Sequence, residues 1–593
     1  MDKSTLHAID SPYLKRIMTK PIKDKFAIAG VLQEIGTLLE LKGGEYFKAR
    51  AYKAGARSVA ELTEDIGKLI KRNRLTFVKG IGHGLATQIA ELYTTGQSSL
   101  LNQLRAEMPP GIVELSGVRG LSVKKVQLVQ QALHITTVQE LKAAAEAGKL
   151  RELKGFGAKT EAGILAAIVS SENREPRIHI HHALRAGQSI LDYLKSSRDF
   201  GQAEFGGALR RWKETVSQIV IVAGAKKPQA LIDHFLRFPM VMRTEKKTSG
   251  RVVVTLSEGF KATLIAVTAK EFAVALFNAT GSQAHLQKLN ELAAKGKLKT
   301  RGRGTGKPKT KRVEVKSEAQ VYRSLGMQFV PPELREDHGE IEAALAGKIP
   351  EDLVTTDDIR GMVHCHTTYS DGKHTVEQMV AAAEALGMKY ITITDHSPTA
   401  FYAGGVKIDR LQRQWEEIDE VQERTKVKIL KGTESDIVAD GSLDYPDWIL
   451  EQFDVIVASI HSRYKMDEDK MTRRIVTAMR QPVFKIWGHA LGRKIQARPP
   501  FDCRVEEILD VIAESRAAVE INGDPYRLDM EPRWLREARK RKIKFVISVD
   551  AHSTGALNNL KFGVGIARRA GIRKGEVLNT LGLKGFQKAV RPV

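Results

Sequence analysis

The sequence is poor in cysteine and has no long apolar stretch. Among its 593 residues there are two cysteines, Cys365 and Cys503, which are too few for a disulfide framework. No run of about 18 uncharged apolar residues occurs, so a membrane span is not expected. The first residues, MDKSTLHAIDSPYLKR, lack the apolar core of a signal peptide. Together these absences predict a protein of the reducing cytoplasm without a membrane partner.

Acidic residues are also in short supply. The chain has 94 lysines and arginines against 70 aspartates and glutamates, a formal net charge of +24. Such an excess favours a polyanionic partner, nucleic acid above all, although a nonspecific basic surface is the alternative. At this length several domains are expected. The content of 42% hydrophobic and 28% charged residues is ordinary for a soluble globular protein.

Three glycine-hinged turns occur in the mostly helical pattern of the first 170 residues. They are FVKGIGHGLATQIAEL (77–92), LSGVRGLSVKKVQLVQQAL (115–133) and ELKGFGAKTEAGILAAI (152–168). Glycine lets the backbone approach a phosphate closely, and the free N–H groups of the following helix face the anion. Each turn predicts a helix-hairpin-helix that grips DNA without reading its sequence, whereas any single copy could be an ordinary turn between helices. The candidate DNA-binding residues are Gly80, Gly82, Gly84, Gly117, Gly120, Gly155 and Gly157.

A second basic feature is the segment KGKLKTRGRGTGKPKTKRVEVK, 295–316, where Glu314 is the single acid. Its four glycines and one proline predict a loop. The loop could follow a phosphate backbone or could simply be a solvated charged segment, and both interpretations stay open.

From residue 358 to the end, short apolar strands alternate with helices, which predicts a (β/α) barrel. Acids and histidines follow the apolar runs, and the C-terminal mouth of such a barrel is where active sites lie. In VHCHTTYSDG the His-x-His spacing points both imidazoles to one face, whereas Cys365 between them should face away and pack. Burying these groups is costly unless metal ions bind them. The candidate metal ligands are His364, His366, Asp371, His396, Glu434, His461, His489, Asp550 and His552.

The order of these parts resembles a bacterial family-X DNA polymerase of the long form, which carries a C-terminal PHP (polymerase and histidinol phosphatase) domain. The resemblance covers nearly the whole chain. Besides the hairpins and everything from Asp358 onward, it rests on LLELKGGEYFKARAY (38–52), GGALRRWKETVSQIVIV (206–222), FNATGSQAHLQKL (277–289) and PPELRE (331–336).

The resemblance implies a multidomain α+β and α/β protein with helical helix-hairpin-helix domains, a nucleotidyltransferase-like palm and thumb, and a distorted (β/α) PHP barrel. The implied divisions are an N-terminal, lyase-like helical domain with the first hairpin (1–100), a fingers-like domain with the other two (101–175), a palm-like domain (176–285), a thumb-like domain (286–340), a linker (341–357) and the PHP metal-dependent phosphoesterase domain (358–593).

In this family the 206–222 stretch opens the palm, and its strand carries Asp-x-Asp with a third Asp on a neighbouring strand. Gln218 and Val220 stand at the first two places, and Thr263 stands at the third. Valine has no lone pair and the other two side chains are neutral, whereas two Mg²⁺ ions need charged oxygen ligands. We therefore predict a palm that does not polymerise, with doubtful nucleotide binding; a misassigned strand register is the alternative. The degenerate site comprises Gly206, Gly207, Arg210, Arg211, Gln218, Val220 and Thr263.

Two other family features are altered. Ala208 and Trp212 replace the usual Ser and Gly of the phosphate-binding turn. Some relatives remove a 5′-deoxyribose phosphate with a Schiff-base lysine on the helix after the first hairpin, and Gln88 occupies that place here. An amide cannot form the imine, so the lyase activity is also predicted to be absent.

The PHP resemblance implies three divalent metal ions, Mn²⁺, Zn²⁺ or Fe²⁺. It assigns His364, His366, Glu434 and Asp550 to the first ion; Glu434 bridges to the second, completed by His461 and His489; the third is held by Asp371, His396 and His552. A metal-bound hydroxide would then attack a phosphodiester and release the 3′-oxygen. Arg463 and Arg493 could hold phosphate oxygens or could be ordinary surface arginines.

The predicted function is a metal-dependent DNA phosphoesterase, a 3′→5′ exonuclease of DNA repair acting as a monomer on gapped, nicked or 3′-ended DNA. Trimming of blocked 3′ ends or cutting at abasic sites would use the same centre. Three alternatives stay open: a working repair polymerase with an editing domain, a noncatalytic DNA-binding scaffold, and a small-molecule phosphatase.

Overall fold

The computed structural model describes residues 25–590 except 63–65, 79, 110–111, 117, 119, 173–176, 257–258 and 295–314. Gly117 and nearly all of the basic segment therefore lie outside the described residues. The chain divides into two compact units, Met1–Pro176 and Arg177–Val593. Among the helices of the described ranges, none is long and apolar enough to cross a bilayer.

The first unit is helical. Buried Ile28, Leu32 and Ile35 recur along one face of its first helix at the spacing of an amphipathic helix. Ser98 and Ser122 begin two later helices because each hydroxyl accepts a hydrogen bond from a backbone N–H of the first turn. The helices are α1 (Lys25–Lys42), α2 (Tyr46–Glu61), α3 (Ile66–Lys71), α4 (His83–Thr95), α5 (Ser99–Glu107), α6 (Ile112–Ser116), α7 (Val123–Leu133), α8 (Val138–Glu146) and α9 (Ala158–Glu172).

The second unit begins with a palm-like α/β part. Its five-stranded sheet has the order β2-β4-β7-β6-β5, in which only the β4–β7 pair is parallel. That pair places Val220 opposite Thr263. The elements are β1 (Ile178–His179), α10 (Ile180–Lys195), β2 (Phe200–Gly206), α11 (Gly207–Arg210), β3 (Thr215–Val216), β4 (Gln218–Ala225), α12 (Pro228–Phe235), β5 (Val241–Thr248), β6 (Arg251–Leu256), β7 (Lys261–Val267) and α13 (Phe272–Thr280).

A small helical part follows the palm, with α14 (Gln283–Ala294), α15 (Glu318–Ser324) and α16 (Glu340–Leu345). Its apolar cluster is built around the buried ring of Tyr322. Arg335 is fully buried beside that ring, where it ion-pairs with Glu318 and donates to the Val330 carbonyl at 2.9 Å. A buried arginine of this kind is tolerated because its charge is paired and two of its three nitrogens donate hydrogen bonds.

The rest of the unit is a seven-stranded parallel sheet in sequential order, wrapped by helices. Its central strands are buried along their whole length, as expected when helices cover a parallel sheet. The elements are β8 (Gly361–Cys365), α17 (Val376–Ala385), β9 (Tyr390–Ile393), α18 (Ile408–Gln422), β10 (Lys428–Asp436), α19 (Asp447–Leu450), β11 (Val455–Ser459), α20 (Glu468–Arg480), β12 (Ile486–Trp487), α21 (Val505–Glu514), β13 (Ala518–Asn522), α22 (Pro532–Lys540), β14 (Phe545–Ser548), α23 (Leu560–Arg569) and α24 (Leu583–Val590).

The first and last strands nearly close this sheet into a barrel. Past the end of β14, the Ala551 N–H donates to the His364 carbonyl at 3.0 Å, and the His366 N–H donates to the Ala551 carbonyl at 2.9 Å. These two bonds join the C-terminal end of β8 to the segment after β14. The (β/α) barrel predicted from the strand–helix alternation is thereby confirmed.

Palm and barrel share a packed interface inside the second unit. The indole of Trp212 lies so close to Gly565 of α23 that a β-carbon there would collide with it. Beside it, Glu214 accepts hydrogen bonds from Arg569 at 2.9 Å and from Arg493 at 3.4 Å. Burial raises the pKa of Glu214, but the two arginines outweigh burial and lower it to about 2. The carboxylate therefore stays charged and holds the palm against the barrel.

Candidate metal centre at the barrel mouth

The C-terminal ends of successive barrel strands deliver the candidate ligands to one mouth. β8 supplies His364 and His366, and their imidazole centroids lie 5.2 Å apart. β8 is irregular here because its pairing with β9 shifts between Met362 and Cys365. Cys365 itself is fully buried in the apolar core. The other ligand positions follow or end strands β9 to β12 and β14, apart from Asp371, which lies in the loop after β8.

The structure brings these side chains into three overlapping groups whose ligand atoms lie within 4.8 Å of one another. The groups are His366, Asp371, His396 and His552; His364, His366 and Asp550; and His396, Glu434 and His461. His489 joins the last group, because its Nε2 lies 2.8 Å from Glu434 Oε1 and 3.2 Å from His461 Nε2. All nine candidates predicted from the sequence are thus assembled at one place.

The buried atoms of this cluster fit divalent cations. His364 Nε2, both ring nitrogens of His366 and both oxygens of Glu434 are buried and have no hydrogen-bond partner. Each such atom costs about 1–3 kcal/mol unless something compensates it. A cation would compensate all of them at once. Mixed imidazole and carboxylate donors suit Mn²⁺, Zn²⁺ or Fe²⁺ better than Mg²⁺.

An outer layer of carboxylates orients the imidazoles. Glu520 lies 2.5 Å from His364 Nδ1 and accepts hydrogen bonds from Ser548 Oγ and the His489 N–H. Asp436 lies 2.8 Å from His461 Nδ1. Because one ring nitrogen is held in this way, the other is free to face the centre, the usual arrangement around metal-binding histidines. Neither acid was singled out from the sequence.

Within the cluster, the pKa values of two imidazoles are lowered and that of the central carboxylate is lowered too. Burial lowers the pKa of His396 and of His489 to about 4, so these rings are neutral near pH 7 and able to bind a cation. Burial alone would raise the pKa of Glu434, but His461, His364 and His396 hold it well below its usual range. For His461, burial is outweighed by Glu434 and Asp436, which raise its pKa to about 10. The carboxylate at the centre of the cluster is therefore ionised.

Three arginines near the mouth have different surroundings. Arg463 is exposed beside His461 and remains a candidate phosphate contact. Arg493 is not a surface arginine: it is 8% exposed, and its guanidinium is occupied by the Leu528 carbonyl and by carboxylates. It is therefore unsuited to the phosphate-binding role considered from the sequence. Arg527, which sequence reasoning missed, lies 3.0 Å from the ligand Asp550.

The palm strands carry no acidic cluster in the part of the palm that the structure describes. Thr263 Oγ1 donates a hydrogen bond to Gln218 Oε1 at 2.8 Å, so these two neutral side chains satisfy each other. Val220 presses its methyl groups toward Gly206 and Gly207, at 3.2 Å from the place where a β-carbon would stand. The side chains at these three positions are thus engaged with each other or with the glycine turn.

The two arginines of the predicted phosphate-binding turn are also engaged. Arg210 binds Glu318 at 2.6 Å and the Thr280 hydroxyl at 2.8 Å. Arg211 binds Glu336 at 2.7 Å and the Thr280 carbonyl at 2.7 Å. Both guanidinium groups thus have internal partners, which leaves little of their charge for a triphosphate.

The hairpin turns of the first unit leave their glycine backbones open. Gly80, Gly120 and Gly155 share left-handed φ values of +87°, +92° and +90°, so the described parts of the three turns repeat one conformation. Around Gly82 and Gly157 nothing lies within 4 Å of where a β-carbon would be. These surfaces are free for a phosphate backbone. Gln88, at the place of the Schiff-base lysine, binds Glu91 and Ser98.

Substituting Gly82 tests this surface without harming the helix that it begins. Gly82 is the N-cap of α4 with extended backbone angles, a position that Asp and Asn favour equally. We expect Gly82→Asp to weaken binding of nicked DNA about tenfold through repulsion of the phosphates, and Gly82→Asn to weaken it far less. Fluorescence anisotropy at several salt concentrations measures both. Equal affinities for the two variants would mean that this turn does not contact DNA.

Fold and site together define a metal-dependent phosphoesterase barrel joined to a nucleotidyltransferase-like palm and thumb and to DNA-binding hairpins. Family comparisons match three of these parts: residues 23–98 match a helix-hairpin-helix domain, 275–336 match a DNA polymerase beta thumb, and 363–524 match a PHP domain. The thumb match begins inside the range 176–285 that the sequence analysis assigned to the palm.

A full-length relative shows the family. The chain is 32% identical over 564 residues to the "DNA polymerase/3′-5′ exonuclease PolX" of Bacillus subtilis (strain 168), covering 94% of this chain and 98% of the relative. The chain therefore belongs to the family-X DNA polymerases that carry a C-terminal PHP domain, which confirms the resemblance inferred from its motifs. These domains make DNA its binding partner and make divalent-metal dependence a property of its barrel.

The barrel has shorter relatives as well. A probable phosphatase of Thermoanaerobacter sp. (strain X514) is 28% identical over 235 residues, 37% of this chain and 89% of the relative. A probable phosphatase of Caldanaerobacter subterraneus is 27% identical over 207 residues, 32% of this chain and 74% of the relative. Both of these relatives are named as probable phosphatases.

Proposed function

We propose that the protein is a 3′→5′ exonuclease of DNA repair whose barrel carries a trinuclear metal centre and whose palm does not polymerise. The observation that carries the proposal is the convergence of nine ligand side chains with buried, unpartnered donor atoms at the barrel mouth. The noncatalytic-scaffold alternative offers no reason to bury these atoms without compensation.

The chain's own residues would divide the work as follows. Divalent cations bound here would supply charge neutralisation and a water of lowered pKa. Glu520 and Asp436 hold His364 and His461 in the orientation for binding them. Arg463 at the rim would hold a phosphate oxygen of the scissile bond. The proposed ligand sets are His364, His366, Glu434 and Asp550; Glu434, His461 and His489; and Asp371, His396 and His552.

Support for three cations comes from the three groups of ligand atoms. His366 and His396 each belong to two groups, so these two rings lie between neighbouring positions. Glu434 contacts His364, His396, His461 and His489 through its two oxygens. A carboxylate in that central position is suited to bridging two cations.

The proposal that the palm is inert rests on its side chains. Transfer of a nucleotide needs carboxylates for two cations and free cationic groups for the triphosphate. Gln218, Val220 and Thr263 provide no charge, and the arginines of the turn are already ion-paired. Under this proposal the palm and thumb serve as a platform for gapped, nicked or 3′-ended DNA, and the protein acts as a monomer.

A 5′-labelled primer on a gapped template tests this proposal directly. With Mn²⁺ and all four deoxynucleoside triphosphates, we expect the wild-type protein to shorten the primer and never to lengthen it. A His364→Ala/His366→Ala variant should leave the primer intact, because the first set of ligands is then lost. Lengthening by either protein would show that the palm polymerises, and shortening by the variant would place the nuclease outside the barrel.

A further inference from the structure

A second cavity lies away from the metal centre, between residues 334–352, which include α16, and helices α22 and α23 of the barrel. Its volume is about 790 Å³, and none of the nine candidate metal ligands lines it. The side chains around it are unusually rich in cations. They include Lys348, Arg536, Arg539, Arg569 and Arg573.

Two of these arginines are neutralised by carboxylates. Arg573 binds Asp352 at 2.6 Å, and Arg539 binds both oxygens of Glu576 at 2.8 Å. Among the acids of the lining, Glu340 is occupied elsewhere. Its oxygens contact His285 Nδ1 at 2.5 Å and accept backbone N–H groups at 2.9 and 2.7 Å. Arg569 is paired with Glu214, and the exposed Glu351 also lines the cavity. The charge of Arg536 is left to be explained.

Within the described residues, no carboxylate or carbonyl pairs with the guanidinium of Arg536, which is partly buried. Arg569 is 9% exposed, and it uses one nitrogen to bind Glu214 at 2.9 Å. Its Nε is buried and has no hydrogen-bond partner. Burial and the charge of Arg569 lower the pKa of Arg536, while the carboxylates of Glu537, Glu336 and Glu340 act in the opposite direction.

Arg536 lines this cavity without an ion pair among the described residues, and an anion in the cavity would supply one. A guanidinium presents its N–H groups in a planar fork that matches phosphate oxygens, and a dianionic phosphate offers acceptors for both arginines. The volume also lies within the range of about 300–1,000 Å³ that holds small ligands. Lys348, exposed at the rim, adds a third positive charge.

We propose that this cavity binds a dianionic phosphate group, either inorganic phosphate or the 5′-phosphate of a free nucleotide, through Arg536 and Arg569. The inference does not rest on the proposed exonuclease, because the cavity shares no lining residue with the metal centre. A ligand here would contact both the segment 334–352 and the barrel helices, and would so stabilise the junction between thumb and barrel.

Isothermal titration calorimetry on the full chain tests the proposal with inorganic phosphate, deoxyadenosine 5′-monophosphate and deoxyadenosine as probes. We expect both phosphate-bearing probes to bind and deoxyadenosine not to. Tighter binding of the monophosphate than of phosphate would identify a nucleotide as the ligand, and equal binding would identify the phosphate group alone. Binding of deoxyadenosine as tight as that of its monophosphate would overturn the proposal.

Single-residue variants show whether phosphate binds in this cavity. Arg536→Ala should weaken phosphate binding tenfold or more. Arg533→Ala, on the same helix but with a side chain 64% exposed, should change it less than twofold. The His364→Ala/His366→Ala variant should bind as the wild type does. Superimposable isotherms for wild type and Arg536→Ala, or loss of binding in the histidine variant, would overturn the proposal. If Arg536→Ala does not fold, Lys348→Ala at the exposed rim should weaken binding measurably, and an unchanged isotherm would count against the site.

Discussion

Replacement of Glu434 by glutamine is expected to reduce hydrolysis of 3′-ended DNA about a thousandfold. Losing an outer partner of a metal ligand costs about 10- to 100-fold, and Glu434 is placed as a ligand itself. Its two oxygens lie 2.8–3.5 Å from five imidazoles of the centre, those of His364, His366, His396, His461 and His489. The amide removes the negative charge that two cations would share, so their binding should fail together.

Two measurements check this expectation on one protein preparation. Nuclease assays give the rate, and mass spectrometry of protein purified without chelator gives the metal content, which should fall from about three per chain. Glu451→Gln is the matched control, because Glu451 is an exposed carboxylate just after α19 and should behave as wild type. A Glu434→Gln protein with full metal content and more than half of the activity would show that Glu434 is not part of the reacting centre.

Replacement of Glu520 by glutamine is expected to cause the second large loss of activity. Added metal should restore that activity. Glu520 is not one of the nine candidate ligands. Its carboxylate is hydrogen-bonded to His364, Ser548 and the backbone N–H of His489. An amide cannot match a carboxylate as the acceptor for His364 Nδ1, so the ring loses both its orientation and part of its basicity. We expect metal affinity to fall about 10- to 100-fold.

The distinguishing result is rescue. At saturating Mn²⁺ the Glu520→Gln protein should regain most of its kcat, whereas Glu434→Gln should not. Glu514→Gln, an exposed position at the end of α21, serves as the control for the same chemical change. Loss of kcat that no Mn²⁺ concentration restores would mean that Glu520 acts on the reaction and does not merely position a ligand.

The sequence predicted the barrel and the assembly of its ligands because both follow from local rules. Apolar strands in alternation with helices specify the barrel, and polar residues at strand ends must meet at its C-terminal mouth. Glu520 escaped because it sits inside an apolar strand, where its spacing looks like an ordinary strand position. The only signal was an acid in the otherwise apolar AVEIN run of β13.

The arginines show the limit of the same reasoning. Arg493 follows the candidate ligand His489 closely in sequence, which suggested a phosphate contact. In the structure its side chain instead lies at the palm–barrel interface and binds Glu214. Arg527 follows no strand end directly, yet the loop after β13 brings it to Asp550. The partner of a long side chain depends on the path that the loops take through the fold, and the spacing of residues in the sequence does not specify that path.

The contact of Trp212 with Gly565 determines what would happen if the palm were separated from the barrel. The indole belongs to the palm and its seat belongs to the barrel, so a cut in the linker would leave an apolar socket on one fragment and an uncovered tryptophan on the other. Arg493 and Arg569 would lose Glu214 in the same cut. The palm is thus a fixed structural component of the second unit, and it cannot be removed without exposing an apolar surface and unpaired charges on the barrel.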